Sequence, residues 1–495
     1  MNNSVQGWKK NPILYEINTW QWLTELSDNY NNKIKLDNIP QDIYHDYLYY
    51  FDAIWLMGVW ERSPSSRRLA QEHPDLQKEY NEAVDHVREE DIVGSPYAVY
   101  YYHVDKYLGG KEGLLAFKKE LEKENVKLIL DYVPNHVARD HLWTLEKSDL
   151  FIEGTWEDMN SHSDAYFSSD GKILAHGKDP YFPPWTDTVQ INVFSSEARN
   201  KAISTLKSIS EICDGVRCDM AMLVTNEIFK KTWQDKVGNP PEKDYWEEIL
   251  SKVRESNKNF KFIAEVYWDK EWNLMQQGFD YCYDNKLYKR IISKNAEEIK
   301  GHLNAEWQYN KKLLRYIENH DEKRVLNLLK KDSVKAAALL ILTLPGISLI
   351  YETQMKGYKK KVPIQLGVRK NEEINNGLLE FYRKILKFLS ESDLRQGDWE
   401  ICLTHISSEK LGKNNLIAYI WRMNRKNVLI VVNFGDTDIK GHVSIPNIDF
   451  QDYSWKFKDV LTDKIFEYNG EDLKSNGLYV ELNPWRGHLF QIIKN

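Results

Sequence analysis

Eight short runs of apolar, β-rich residues recur along about 390 residues, with helical stretches between them, and this alternation leaves few folds open. The runs are ILYEI (13–17), AIWLM (53–57), LILDYV (128–133), GVRCDM (215–220), FIAEV (262–266), FDYCYD (279–284), RYIEN (315–319) and SLIYE (348–352). Helical patterns such as KEGLLAFKKELEKEN (111–125), EARNKAISTLKSISEI (197–212) and KDYWEEILSKVRES (243–256) separate them. Strand–helix alternation repeated eight times predicts an α/β chain closed into a parallel (β/α)8 TIM barrel. A doubly wound open sheet also alternates, but it needs a glycine-rich phosphate turn after its first strand, and NTWQWLTELS has none.

At 495 residues the chain exceeds what a single hydrophobic core usually serves. One connection is too long for a plain loop. Residues 137–192, rich in Asp, Ser, His, Trp and Pro, read as an excursion from the barrel that walls one side of a cleft. From residue 396 the pattern changes to alternating strands and turn residues. The expected organisation is therefore barrel (1–136), excursion (137–192), barrel again (193–395) and a C-terminal antiparallel β-sandwich domain (396–495).

The net charge of −7, with no basic block, argues against nucleic acid as a partner. Four cysteines, Cys213, Cys218, Cys282 and Cys402, lack metal-type spacing and read as thiols of a reducing compartment. The N-terminus lacks the long apolar core of a signal peptide, and the longest apolar run, AAALLILTLPGISLI, is too short and interrupted to span a bilayer. A soluble cytoplasmic protein with no membrane partner is expected; oligomeric state is not legible. Seventeen Trp and 29 Tyr favour a carbohydrate ligand, whose flat C–H faces suit aromatic rings, although core packing uses the same residues.

In such a barrel, polar groups at the C-terminal ends of strands face the active site. Asp131 closes the third run, followed by Asn135 and His136. Arg217 and Asp219 close the fourth, Glu265 the fifth, and His320 with Asp321 the seventh. Carboxylates at several strand ends around one aromatic-rich mouth fit cleavage of a glycosidic bond, where one carboxyl protonates the leaving oxygen and another attacks the anomeric carbon. Arg217, two residues from Asp219 on one strand face, is expected to lower that carboxyl's pKa and keep a nucleophile ionised. The apolar setting of Glu265 is expected to raise its pKa, as an acid that later serves as base requires.

The segments DYVPNH (131–136), GVRCDMA (215–221), EVYW (265–268) and ENHD (318–321) together resemble the four short motifs of the α-amylase family of glycoside hydrolases, in that family's order and on its strands. DTVQIN (187–192) and PGISLIYETQ (345–354) resemble further family stretches, so the likeness runs over almost the whole chain. It implies a retaining mechanism on α-glucosidic bonds of α-glucans or malto-oligosaccharides. Asp219 would be nucleophile, Glu265 acid/base, and Asp321 the carboxylate that grips sugar hydroxyls. Arg217, His136 and His320 would hydrogen-bond the reacting sugar, and Tyr97 would stack beneath it. No cofactor is implied, except that the family's structural calcium site often uses the asparagine matching Asn135; bracing the loop by hydrogen bonds is the alternative for that residue. Many relatives carry a Lys-His pair after the nucleophile, where this chain has Met222 and Leu223, so an ordinary endo-amylase is in question. A transglycosylase of the 4-α-glucanotransferase kind with the same site, and a non-catalytic sugar-binding relative, are the alternatives.

Overall fold

The computed structural model describes residues 7–145, 149–406, 414–423, 426–451 and 453–494. The first six residues of the stretch read above for a leader lie outside them. Eight parallel strands close into a barrel: β1 (Ile13–Asn18), β2 (Ala53–Met57), β3 (Lys127–Tyr132), β4 (Gly215–Cys218), β5 (Lys261–Ala264), β6 (Tyr281–Tyr283), β7 (Leu313–Arg315) and β8 (Ile347–Tyr351). β1, β2, β4 and β8 are buried at every position, as strands covered by helices outside and packed side chains inside must be. That double burial explains the uninterrupted apolar runs.

β7 departs from expectation. RYIEN does not carry the strand; LLR just before it does, and only Arg315 is common to both. The physical reason is the turn that leads into β8. Gly346, at φ +89°, stands just before β8 with its Cα so close to the Leu313 carbonyl that a Cβ would lie 2.1 Å from that oxygen. β7 and β8 then pair Leu314 with Ile347 and Arg315 with Ser348, which draws β7 towards the N-terminal side. His320 and Asp321 consequently sit on a loop rather than on a strand end.

Two insertions rise from the C-terminal face. The excursion after β3 contains two antiparallel ribbons, His136–Ala138 with Thr188–Gln190 and Tyr166–Ser169 with Lys172–Ala175, around a small core that includes Val137, Phe151, Phe167 and Val189. A second insertion, not foreseen, lies between β2 and β3. The ribbon Trp60–Arg62 with Val99–Val104 brackets the helices Pro64–Glu72 and Pro74–Ala83, and it carries Tyr97.

The C-terminal domain has a six-stranded and a three-stranded antiparallel sheet, and residues of both, such as Ile420, Leu429, Phe457, Val443 and Val480, form one buried core. The apolar run near residue 340 is the helix Lys331–Thr343, which is covered on one side by the barrel and on the other by this domain. The Trp421 indole donates to the Thr343 carbonyl at 2.6 Å and the Tyr419 hydroxyl meets Thr343 Oγ1 at 2.6 Å. From Ala336 to Thr343 every residue of the helix is buried, as packing between two bodies demands. Among the described residues no helix is long and apolar enough to cross a membrane.

Candidate active site

Parallel register assembles the charged cluster. Arg217 on β4 stands beside Asp131 on β3 and Ile263 on β5, so Asp219, two residues on, stands beside Glu265. Backbone bonds continue the pairing past the strand ends, from Glu265 N to the Cys218 carbonyl at 3.0 Å and from Ala221 N to the Glu265 carbonyl at 2.9 Å. Side chains two apart share a face of a strand, which puts all four polar groups on the inner wall of the mouth.

Arg217 is 1% exposed, and its fork is divided. Nη1 donates to Asp219 Oδ1 at 2.8 Å, while Nη2 lies 2.8 Å from Glu265 Oε2. Asp131 Oδ1 is 3.7 Å from Nη1, and Asp131 Oδ2 accepts from the Gly58 amide at 3.1 Å. Trp55, Tyr97 and Tyr283 ring the guanidinium at 5.2 to 5.8 Å. Glu265 also accepts from the Met220 amide at 2.7 Å and from the Tyr267 hydroxyl at 2.9 Å. Met220 reaches it in a left-handed conformation, φ +40°, which an unbranched side chain tolerates at some cost.

The expected lowering of the Asp219 pKa is not what results. Burial pushes this carboxyl up to about 7; Arg217 opposes, and nearby Glu265 and Asp321 add to the rise. The reason is that enclosure, together with repulsion from Glu265 and Asp321, outweighs the attraction of one guanidinium. Asp131 is raised to about 6 on the same grounds, burial first, against Arg217 and His320. Asp219 and Asp131 are thus buried carboxyl groups whose pKa values are raised towards neutrality.

Asp321 lies across the mouth. Its side chain is 45% exposed, so unlike Asp219 and Glu265 it offers an open oxygen to whatever enters. Burial acts against its ionisation, but adjoining His320 holds it well below the usual carboxylate range. His320 Nε2 lies 2.9 Å from Asp321 Oδ2 and 2.7 Å from the Tyr97 hydroxyl, and the Tyr97 ring stacks on the imidazole at 5.5 Å. His136 is buried against Trp185, and burial drives its pKa down to about 3. At neutral pH it is therefore an uncharged imidazole.

Asn135 does not fit a metal site. Its Oδ1 accepts from Gln190 Nε2 at 3.0 Å and its Nδ2 donates to Gln190 Oε1 at 3.2 Å, while Gln190 also donates to the Asn135 carbonyl at 2.8 Å. Calcium takes about six to eight oxygen ligands, carboxylates prominent among them. Among the described residues no group of three or more His, Cys, Asp or Glu is placed to hold a metal. These bonds tie the end of β3 to the excursion, which supports the bracing alternative for Asn135. EDTA should leave the melting temperature unchanged in a thermal scan; a drop reversed by added calcium would overturn this reading.

Met222 and Leu223 are 0% and 2% exposed, in the short turn that follows Met220. Met220 is half-buried. It lines a cleft of about 780 Å³ with Asp179, Phe182, Trp185, Tyr267 and Trp268. Tyr181 and Phe182 of the excursion are exposed, and the Tyr181 ring meets Trp268 edge-on at 5.0 Å. Sequence reasoning missed this aromatic wall. It also missed Glu16 and Glu352, buried carboxylates in or just beyond β1 and β8, although the strand-end rule used for the other strands points to both.

The sequence profile of the family described as alpha amylase, catalytic domain, matches residues 50–384. The intracellular maltogenic amylase of Bacillus subtilis is 22% identical over 380 residues, 74% of this chain and 60% of that protein. A 1,4-alpha-glucan branching enzyme GlgB of Clostridium perfringens is 22% identical over 447 residues, 78% of this chain and 62% of that protein. The chain thus spans only about 60% of the length of the curated relatives it matches. Among solved structures, a noncanonic maltogenic alpha-amylase AmyB from Thermotoga neapolitana superposes with a TM-score of 0.68 at 18% identity, over 98% of this chain and 99% of that one. The alpha-amylase of Geobacillus thermoleovorans, complexed with acarbose, gives 0.68 at 16% identity over 99% of each chain. At such identities the structural likeness establishes the fold.

Proposed function

The chain belongs to the α-amylase family, and on that premise we propose that it is a retaining glycosidase acting on α-glucosidic bonds of α-glucans or malto-oligosaccharides. The observation that carries the proposal is the divided guanidinium, which ion-pairs with Asp219 and Glu265 at once while Asp321 faces them across the mouth. One guanidinium between two carboxyl groups favours the shorter of the two spacings that glycosidases use, about 5 Å, which leaves no room for a water between acid and nucleophile.

In this reading Glu265 is the acid beside the leaving oxygen, and Asp219 is the anion that attacks the anomeric carbon. Glu265 protonates the departing oxygen, and a glycosyl ester forms on Asp219. Glu265, now ionised, takes a proton from the incoming hydroxyl as the ester is opened, restoring the starting state. Asp321 accepts hydrogen bonds from ring hydroxyls, and neutral His136 can donate one. Tyr97 supplies an apolar face beneath the ring.

Hydrolysis is the principal reading. A second, transfer of the glycosyl unit to another sugar, is favoured by the exposed aromatic wall of Tyr181, Phe182 and Trp268 beside Met220, which suits a saccharide acceptor better than a lone water. Incubation with maltoheptaose and analysis of chain lengths separates the two. Hydrolysis yields only shorter products, and any accumulation of longer ones removes the purely hydrolytic reading. The four cysteines are free and buried, which supports a reducing, cytoplasmic setting.

A further inference from the structure

Glu16, on the first strand of the barrel, has no role in the steps above, yet its side chain is 0% exposed. Its Oε1 contacts Nδ1 of His320, whose side chain is equally enclosed, and its Oε2 has no hydrogen-bond partner. A buried carboxylate costs several kcal/mol unless a counter-charge meets it. Among the described residues His320 is the counter-charge that meets it. Glu318 and Glu352 bear the same sign, and Tyr283 and Tyr351 are neutral phenols. Arg369 is spent on Glu25 and Glu352, and Arg324 on Glu318.

On its other side His320 meets Asp321 Oδ2 and the Tyr97 hydroxyl. Trp55 lies edge-on to the ring at 5.6 Å, and Asp131 lies near enough to be stabilised by its charge. Lys361 donates to the Asp321 backbone carbonyl, and its charge and that of Arg217 add to the larger effect of His320 in keeping the Asp321 carboxyl ionised. Both ring nitrogens are thus committed, Nδ1 to Glu16 and Nε2 to Asp321 and Tyr97, which leaves His320 poorly placed to bind the sugar itself.

We infer that Glu16 is a positioning residue that holds His320 as an imidazolium and, through it, keeps Asp321 ionised and aimed at ligand hydroxyls. The last clause rests on the function proposed above; the pairing itself does not. His136 provides an internal comparison. It is buried in the same mouth without a carboxylate at its ring, and burial drives its pKa down to about 3. For His320 burial acts in the same sense, but Asp321 and Glu16 reverse the outcome and lift it to about 10. The sign follows: the imidazolium persists below that value and is lost as pH rises through it, and removing Glu16 must bring that loss to lower pH.

The test uses full-length protein labelled with ¹⁵N-histidine, with His320→Gln assigning the His320 signals. In the wild type both ring nitrogens of His320 should stay protonated to about pH 9. In Glu16→Gln the His320 titration should fall by at least one unit, and the alkaline limb of kcat/KM on a malto-oligosaccharide should move down with it. Glu16→Asp should restore most of both shifts. A wild-type His320 that is neutral at pH 7 overturns the inference without any variant. So does an unshifted His320 in folded Glu16→Gln, or an activity loss that is uniform across pH. A wild type inactive on every α-glucan would remove the proposed function, while the titration would still decide the pairing.

Discussion

Replacing Asp219 with asparagine is expected to lower kcat by roughly 10,000-fold or more, the scale on which removal of a covalent nucleophile is felt. The variant should fold, because asparagine can still accept the Arg217 hydrogen bond at Oδ1 and fits the same enclosed space. The loss should fall on kcat rather than on KM, since Asp321, His136 and Tyr97 continue to hold the sugar. Azide offers a sharper form of the test. With Asp219→Gly, azide enters from the vacated face and should give a glycosyl azide of inverted configuration. With Glu265→Ala it attacks the ester on Asp219 and should give the retained one. Asp219→Asn turnover within tenfold of wild type would remove Asp219 from its assigned role.

The second large effect is expected at Arg217. Substitution by methionine keeps an unbranched stem but takes away the cation shared by Asp131, Asp219 and Glu265. Breaking a buried ion pair by removing one partner costs roughly 3–5 kcal/mol. The cost should depend on pH in a definite sense. Asp219 and Asp131 already have folded-state pKa values, about 7 and about 6, above their unfolded ones. Such groups favour the folded state below the unfolded pKa of about 4, and that contribution is lost as pH rises through the folded pKa. Without Arg217 both values rise further, so the deficit in melting temperature should grow from pH 5 to pH 8. Wild type should lose stability over the same interval, but less. A deficit independent of pH would mean that Arg217 is there for packing.

The barrel was legible because its strands are buried on both faces, which writes each one as a short apolar run. β2 matches its run residue for residue, and AIWLM has no polar position at which the boundary could be misread. β7 was misread because RYIEN carries the conspicuous residues, whereas its pairing partner is set by the tight Gly346 turn, a tertiary contact that no local pattern reports. The insertion between β2 and β3 escaped notice because its helices are amphipathic like any barrel helix. Its small core, with Tyr80 and Ile92 packed on Leu366 from beyond β8, draws on residues remote in sequence.

For the site, residue types at strand ends were enough to gather Asp219, Glu265, Asp321 and Arg217. Their electrostatics were not readable. Two residues of spacing suggest that Arg217 belongs to Asp219, and only the register of β4 against β5 reveals that Glu265 takes the other half of the fork. Asn135 is a similar case. A carboxamide beside an acidic loop suits calcium as well as a brace, and its bonding partner, Gln190, lies 55 positions away.

The central claim is that Asp219 becomes covalently glycosylated while Glu265 handles the proton. A 5-fluoro glycosyl fluoride forms such an ester readily and releases it slowly, so brief exposure followed by proteolysis and mass spectrometry reads the intermediate directly. One added fluoroglycosyl unit is expected on the peptide containing Asp219, absent in Asp219→Asn. A protein that turns the reagent over without ever carrying that mass, or that carries it on another residue, would contradict it.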